Sequence, residues 1–152
     1  HISFTMTMNT FQTAIAEHPF FKTMRPDHLA LISKNAQAVK FKSEDILFRE
    51  GESANRLFLI QSGRVDLEWR AESGCGVAAK NVGPGEVLGW SWLFPPFLWH
   101  FTAEALEPTH AIVLDGKHLL AACDKNPEFG YALMKRIAQI LIHQMESARN
   151  VL

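Results

Sequence analysis

Apolar positions change period twice along the chain. In residues 9–35 they recur at helical spacing, as Phe11 and Ile15, then Phe20 and Phe21, then Leu29, Leu31 and Ile32. Pro19 and Pro26 break that run, and Asp27 directly after Pro26 suits the first turn of a second helix. Two short helices are expected. In residues 36–114 the period falls to two. Val39 and Phe41 alternate with Lys40 and Lys42, an apolar stretch at 46–48 precedes Gly51, and Leu57, Leu59 and Ile60 run into the tight-turn pair Ser62-Gly63. Val65, Leu67 and Trp69 then alternate strictly with polar residues. The loop Ser73-Gly74-Cys75-Gly76 separates them from a strand at 77–82. After Gly83-Pro84-Gly85 come an aromatic segment and two more strands, near 102–106 and 110–114. Short strands at this spacing, punctuated by glycine, indicate a barrel or sandwich rather than a parallel α/β sheet.

From Lys117 the period is helical again. Asn126-Pro127-Glu128 reads as a helix start, with Asn126 as N-cap and Pro127 in the first helical position. Met134, Ala138, Leu141, Met145, Ala148 and Leu152 follow a four-three spacing, while Leu133, Ile137 and Ile140 occupy an adjacent face. Two stripes on one helix predict that one docks on the barrel and the other meets a second copy of the helix in a parallel homodimer. The organisation expected is a disordered or added tail over 1–8, N-terminal helices and a β-roll over 9–126, and a dimerisation helix over 127–152.

Composition narrows the function classes. The 152 residues are 47% hydrophobic and 20% charged, enough for a core and unlike a disordered chain. The formal net charge of -1 lacks the positive field of a dedicated nucleic-acid binder. No apolar run approaches the roughly 18 residues of a membrane span, and no leader pattern is visible, so the expectation is a soluble cytoplasmic domain with no membrane partner. The two cysteines, Cys75 and Cys123, are too few for a disulfide scaffold or a four-cysteine cluster. Aromatic residues are unevenly placed: six of them fall between Trp90 and Phe101.

The runs His18-Pro19-Phe20-Phe21, Asp45-Ile46-Leu47-Phe48-Arg49-Glu50-Gly51-Glu52 and Leu57-Phe58-Leu59-Ile60-Gln61-Ser62-Gly63-Arg64-Val65 carry a resemblance. So do Gly83-Pro84-Gly85-Glu86-Val87-Leu88-Gly89 and Ala105-Leu106-Glu107. Over residues 17–152 the chain resembles the cyclic-nucleotide-binding domains of the bacterial catabolite-activator and fumarate-nitrate-regulator superfamily. The resemblance implies a mainly β fold with flanking helices: a double-stranded β-helix, or jelly roll, followed by a long dimerising helix. It also implies a regulatory role without catalysis, through a cyclic nucleotide or another small effector.

The family's ligand motif is altered here. Phe-Gly-Glu opens a short helix in the family, and Pro-Arg-(Ser/Thr/Ala)-Ala follows about ten residues later; the helix start and the Arg hold the cyclic phosphate and the Glu binds ribose. Here Leu88-Gly89 match the opening, but Trp90 stands in the Glu position. The Arg position falls on Trp99 or His100, depending on the end from which the count is made. No Lys or Arg lies between Lys80 and Lys117. Each charge-assisted hydrogen bond contributes roughly 1.5–3 kcal/mol, so losing both anchors predicts weak or absent cyclic AMP binding. The candidate ligand-binding residues are Leu88, Gly89, Trp90, Ser91, Trp92, Trp99, His100, Phe101 and Thr102. Three readings of the segment stand: aromatics that fill a vestigial pocket, a pocket remodelled for a flatter or less charged ligand, and a surface for an unidentified protein partner.

Other chemistry finds less support. His110, His118 and Cys123 match no standard metal-ligand spacing, and no Ser/His/Asp or paired-carboxylate arrangement indicates an enzyme. Haem, which the resemblance allows, would have His100 available but no evident axial pair. The superfamily's transcription factors continue into a helix-turn-helix. This chain stops at Leu152, so by itself it is not expected to bind nucleic acid. Two alternatives to an effector-binding module stay open: a scaffold subunit with a self-filled pocket, and the sensor part of a transcription regulator.

Overall fold

Leu57, Phe58, Leu59 and Ile60 are all fully buried, which needs a strand covered on both faces. The structure, a computed structural model, describes the backbone of residues 2–4, 8–70 and 77–151, and the side chains of residues 10–69, 80–143 and 146. Nine strands are present among these residues: β1 (Ile2–Phe4), β2 (Gln37–Phe41), β3 (Ile46–Phe48), β4 (Arg56–Ser62), β5 (Val65–Arg70), β6 (Val77–Val82), β7 (Val87–Leu88), β8 (Thr102–Ala105) and β9 (Thr109–Asp115). One sheet has the order β1-β2-β9-β4-β7 and the other β3-β8-β5-β6, with antiparallel pairing throughout. The chain crosses repeatedly between the two sheets, giving the expected double-stranded β-helix with helices at its flanks. Strand β1 lies within the segment read from the sequence as a tail. It pairs with β2 from Ile2↔Lys40 to Phe4↔Ala38, because the edge of β2 otherwise leaves its backbone groups without a ladder partner.

Four helices flank the roll: α1 (Met8–Glu17), α2 (Pro26–Ser33), α3 (Gly116–Lys125) and α4 (Pro127–Val151). Asp115 caps α3, its Oδ1 accepting from the amides of Lys117 at 2.9 Å and His118 at 3.2 Å. Asn126 Oδ1 accepts from the Phe129 amide at 3.1 Å at the start of α4. Phe129, Leu133 and Ile137 repeat every four residues and are buried against the body of the domain, each contributing roughly 1.5–3 kcal/mol. Polar ties reinforce this docking. Arg25 pairs with both Asp27 and Glu128. The Arg136 guanidinium donates to the Phe20 carbonyl at 2.9 Å and to Thr23 Oγ1 at 3.2 Å. Helix α4 is thereby fixed to the turn that joins α1 to α2.

That turn, a 3-10 segment over Pro19–Phe21, is held by a buried histidine. His18 Nδ1 accepts from the Phe20 amide at 3.3 Å, which leaves Nε2 to donate to the Ile60 carbonyl at 3.3 Å. This pattern requires the neutral ring. Burial pushes the imidazole below its ordinary 6.5, opposed in part by the carbonyls of Ile60 and Glu86. Between β4 and β5 the turn passes through Gly63 at φ +97°. A β carbon there would stand 2.3 Å from Thr109 Oγ1 and 2.6 Å from the Pro108 carbonyl oxygen.

Two predictions follow from these contacts. Because the folded state lowers the His18 pKa, the unfolded chain binds the extra proton between 6.5 and that lower value. The stability His18 supplies is therefore full above about pH 6.5 and declines as pH falls. Chemical denaturation from pH 7 to pH 5 should show the gap between the unmutated protein and His18→Asn narrowing; a constant gap would contradict the assignment. Gly63→Ala should lower the unfolding free energy by about 2–4 kcal/mol, from left-handed strain plus the clash with backbone and the buried Thr109. A loss under about 0.5 kcal/mol in the same assay would show that the turn has room the geometry denies.

Candidate functional site

Strand β7 ends at Leu88, and the chain then turns through Gly89 at φ +101° into a 3-10 segment over Ser91–Leu93. A β carbon at Gly89 would lie 2.6 Å from the Arg56 carbonyl oxygen and 3.2 Å from the Trp99 ring. Further along, residues 97–99 run against the 51–54 loop. Ala54 N donates to Phe97 O at 2.7 Å, Trp99 N to Glu52 O at 2.8 Å, and Gly51 N to Trp99 O at 2.8 Å. The aromatic segment is thus pinned at both ends by backbone contacts.

Between this segment, the inner face of the β5–β6 side and helix α4 lies a cavity of about 330 Å³. Its walls include Phe48, Leu67, Trp69, Val82, Val87, Leu88, Gly89, Trp90, Trp99 and Phe101, with Phe94 nearer solvent. Trp99 stacks on Phe48, with ring centroids 3.9 Å apart and planes inclined by 17°. Trp69 meets Phe101 edge-on at 5.4 Å, and Trp90 leans on Phe20 at 5.4 Å. Ile137 and Leu141 of α4 close the remaining side. The side chains with polar ends are few: Lys80, Ser91 and His100, besides the indoles. Among the described residues no Asp, Glu or Arg lines the space. A site of this kind holds a flat apolar ligand by shape and dispersion, with few groups to orient it.

Of the residues singled out from the sequence, Leu88, Gly89, Trp90, Ser91, Trp99, His100 and Phe101 come together around the cavity. Two candidates do not. Trp92 is buried against the start of α3, where a β carbon on Gly116 would lie 2.8 Å from its ring, so it is core packing outside the cavity. Thr102 is turned to the neighbouring loop, its Oγ1 accepting from the Glu50 amide at 3.0 Å. The indole N–H groups of both Trp90 and Trp92 are buried without an acceptor among the described residues, so ring packing and not hydrogen bonding fixes them.

The intended dimer stripe divides as well. Met134 and Ala138 are exposed on α4, but Leu141 lies at the cavity while also being 40% exposed. The side chains of Met145 and Ala148, and all of Leu152, lie outside the described residues, as does Cys75. His110 is exposed on β9, His118 Nε2 lies 3.0 Å from the Leu31 carbonyl oxygen, and Cys123 is half-buried beside Gly130. Among the described residues no three His, Cys, Asp or Glu side chains are grouped to hold a metal ion, and no helix is long and apolar enough to cross a membrane.

Sequence reasoning missed the far wall: Phe48, Leu67, Trp69, Lys80, Val82, Ile137 and the cavity face of Leu141. The inward alternation of Val65, Leu67 and Trp69 was the available signal for part of it. Arg56 does not supply the missing cation: its guanidinium lies over the Phe58 ring at 5.1 Å and donates to the Leu47 carbonyl at 3.2 Å, and it is not among the residues that line the cavity.

Comparison with known proteins agrees with this architecture. A curated relative, a CRP-like cAMP-activated global transcriptional regulator of Mycobacterium tuberculosis, is 28% identical over 127 residues. That alignment covers 84% of this chain and 57% of the relative, so the chain spans a little over half of the regulator's length. A cyclic nucleotide-binding domain from Methylobacillus flagellatus superposes with a TM-score of 0.84 at 18% identity, covering 99% of this chain and 86% of that one. The regulatory subunit of a cAMP-independent protein kinase A from Trypanosoma cruzi, bound to guanosine, superposes with a TM-score of 0.67 at 16% identity, covering 82% of this chain and 48% of that one. Residues 38–126 match the family described as the cyclic nucleotide-binding domain. With more than half of its residues in that match and the double-stranded roll in place, the chain belongs to the cyclic nucleotide-binding domain family.

Proposed function

We propose that this chain is a non-catalytic, cytoplasmic regulatory module that takes a small, flat effector into the aromatic cavity, and that cyclic AMP is not that effector. The observation that carries the reading is the lining itself: an aromatic-walled space with no Arg, Asp or Glu among the described residues. A cyclic phosphate and ribose would leave water for walls that return little of their hydration. The Trypanosoma cruzi relative, bound to the phosphate-free nucleoside guanosine, supports the compatibility of the fold with ligands lacking a phosphate. The output would pass through α4, since Ile137 and Leu141 belong both to the cavity and to that helix. A ligand that repacks them biases how α4 sits.

A second reading, the sensor part of a transcription regulator, is favoured by the alignment with the Mycobacterium tuberculosis protein. The full coding sequence decides it. A scaffold with a self-filled pocket draws support from buried Trp92 and Trp99, but the cavity persists beside them.

Titration calorimetry should give a dissociation constant for cyclic AMP weaker than about 10 μM, near −7 kcal/mol. A flat aromatic effector at 100 times its dissociation constant should add about 2.7 kcal/mol of stability and alter the emission of Trp69, Trp90 and Trp99. Tight cyclic AMP binding would overturn the proposal; no response to any flat aromatic compound would favour the scaffold reading.

The same proposal includes a parallel homodimer through the exposed stripe of α4. Met134→Glu with Ala138→Glu alters that stripe without touching the cavity lining. In analytical ultracentrifugation the unmutated protein should sediment as a dimer at high micromolar concentration and the double variant as a folded monomer. A monomeric unmutated protein would remove the dimer from the proposal.

A further inference from the structure

Strand β6 carries a lysine on the interior face of the roll. In an antiparallel pair, directly opposed residues project to the same side of the sheet. Strands β5 and β6 pair as Val65↔Val82, Asp66↔Asn81 and Leu67↔Lys80. Val65, Leu67 and Val82 are buried, so this register assigns Lys80 to the interior row and leaves Asp66 and Asn81 on the outer one. Strand β6 is the edge of its sheet, and Lys80 both lines the cavity and stays exposed, as a long side chain does when its stem covers apolar surface and its charged end keeps to water.

Among the described residues no carboxylate answers this charge: none lines the cavity, and Lys80 has no ion-pair partner there. The other polar ends at the space, Ser91 and His100, are not acidic. An apolar, aromatic-walled cavity with an uncompensated ammonium at its opening is polarised: ring surface inside, positive charge outside. The complementary molecule has a flat aromatic body and one anionic group at its end.

Resting on the reading of this cavity as an effector site, we infer that its ligand class is aromatic monocarboxylates, with the ring between the Trp and Phe walls and the carboxylate on Lys80 Nζ. Aromatic walls alone would also accept an aromatic ammonium ion by cation–π attraction. Lys80 argues against that, because it sets like charge at the cavity and none of the described lining residues is a carboxylate that would offset it.

Three probes of one shape separate these cases: 2-naphthoate, neutral 2-naphthamide and naphthalen-2-ylmethylammonium. Calorimetry at low salt should rank them in that order, with naphthoate about tenfold tighter than the amide; exposure of Lys80 keeps the ratio from the larger values of buried charge pairs. The ratio should shrink as salt is added. Lys80→Met should bring it close to one, Lys80→Arg should preserve it, and thermal melting verifies that both variants fold. Equal binding of naphthoate and naphthamide to the unmutated protein, a ratio that survives Lys80→Met, or preference for the ammonium overturns the inference and leaves the effector cavity standing. Binding of none of the three overturns both.

Discussion

At residue 89 the backbone turns at φ +101° with Arg56 O and the Trp99 ring pressed against it, so that a single methyl group would meet both. That contact lets the end of β7 lie close to β4 while Trp99 slides over it to stack on Phe48. The cavity is the space left on the inner side of this arrangement. A left-handed backbone costs an ordinary residue about 1–2 kcal/mol, and here the steric conflict adds to it, so a glycine is needed for both reasons. The family resemblance also runs through this glycine, though Trp90 follows it in place of the family's Glu.

The rest of the cavity is closed by a helix that belongs to a different part of the chain. Helix α4 reaches Ile137 and Leu141 over the opening only because its first turns are tied down: Phe129 and Leu133 buried, Arg25 paired with Glu128, Arg136 donating to Phe20 O. The Phe20 turn is in turn seated by His18 on the Ile60 carbonyl, and Phe20 packs against Trp90 of the cavity wall. Wall, turn and helix therefore form one connected set of contacts. A ligand that displaced Trp90 or Leu141 would perturb groups that also position α4, which is how the proposed effector would reach that helix.

Electrostatics separates this site from a phosphate-binding one. Arginine offers a rigid bidentate fork suited to a phosphate, whereas Lys80 offers a mobile point charge at the edge of a sheet. Without the fork and the acidic ribose contact, the site we propose would discriminate mainly by shape and by the sign of a single charge.

Much of the fold was legible locally. The alternation of Val65, Leu67 and Trp69 with Asp66 and Glu68 defines a two-sided strand, Asn126-Pro127 starts a helix, and Leu133 with Ile137 marks its buried face, each within a few residues of chain. The absence of arginine from residues 81–116 is likewise a property of the sequence alone. What the tertiary structure decided is which of several similar residues share a space. Trp92 and Trp99 belong to one aromatic run, yet Trp92 is spent on Gly116 while Trp99 forms the wall. The Thr102 hydroxyl is taken by the Glu50 amide, and Leu141 turns out to serve the cavity. Lys80 lies only eight residues before Leu88, yet it is the β5–β6 register, Leu67 opposite Lys80, that turns it to the cavity side. The physical reason is one of range: local period determines which way a side chain points from its own strand or helix, whereas the register and packing of elements far apart in the chain determine what it meets there.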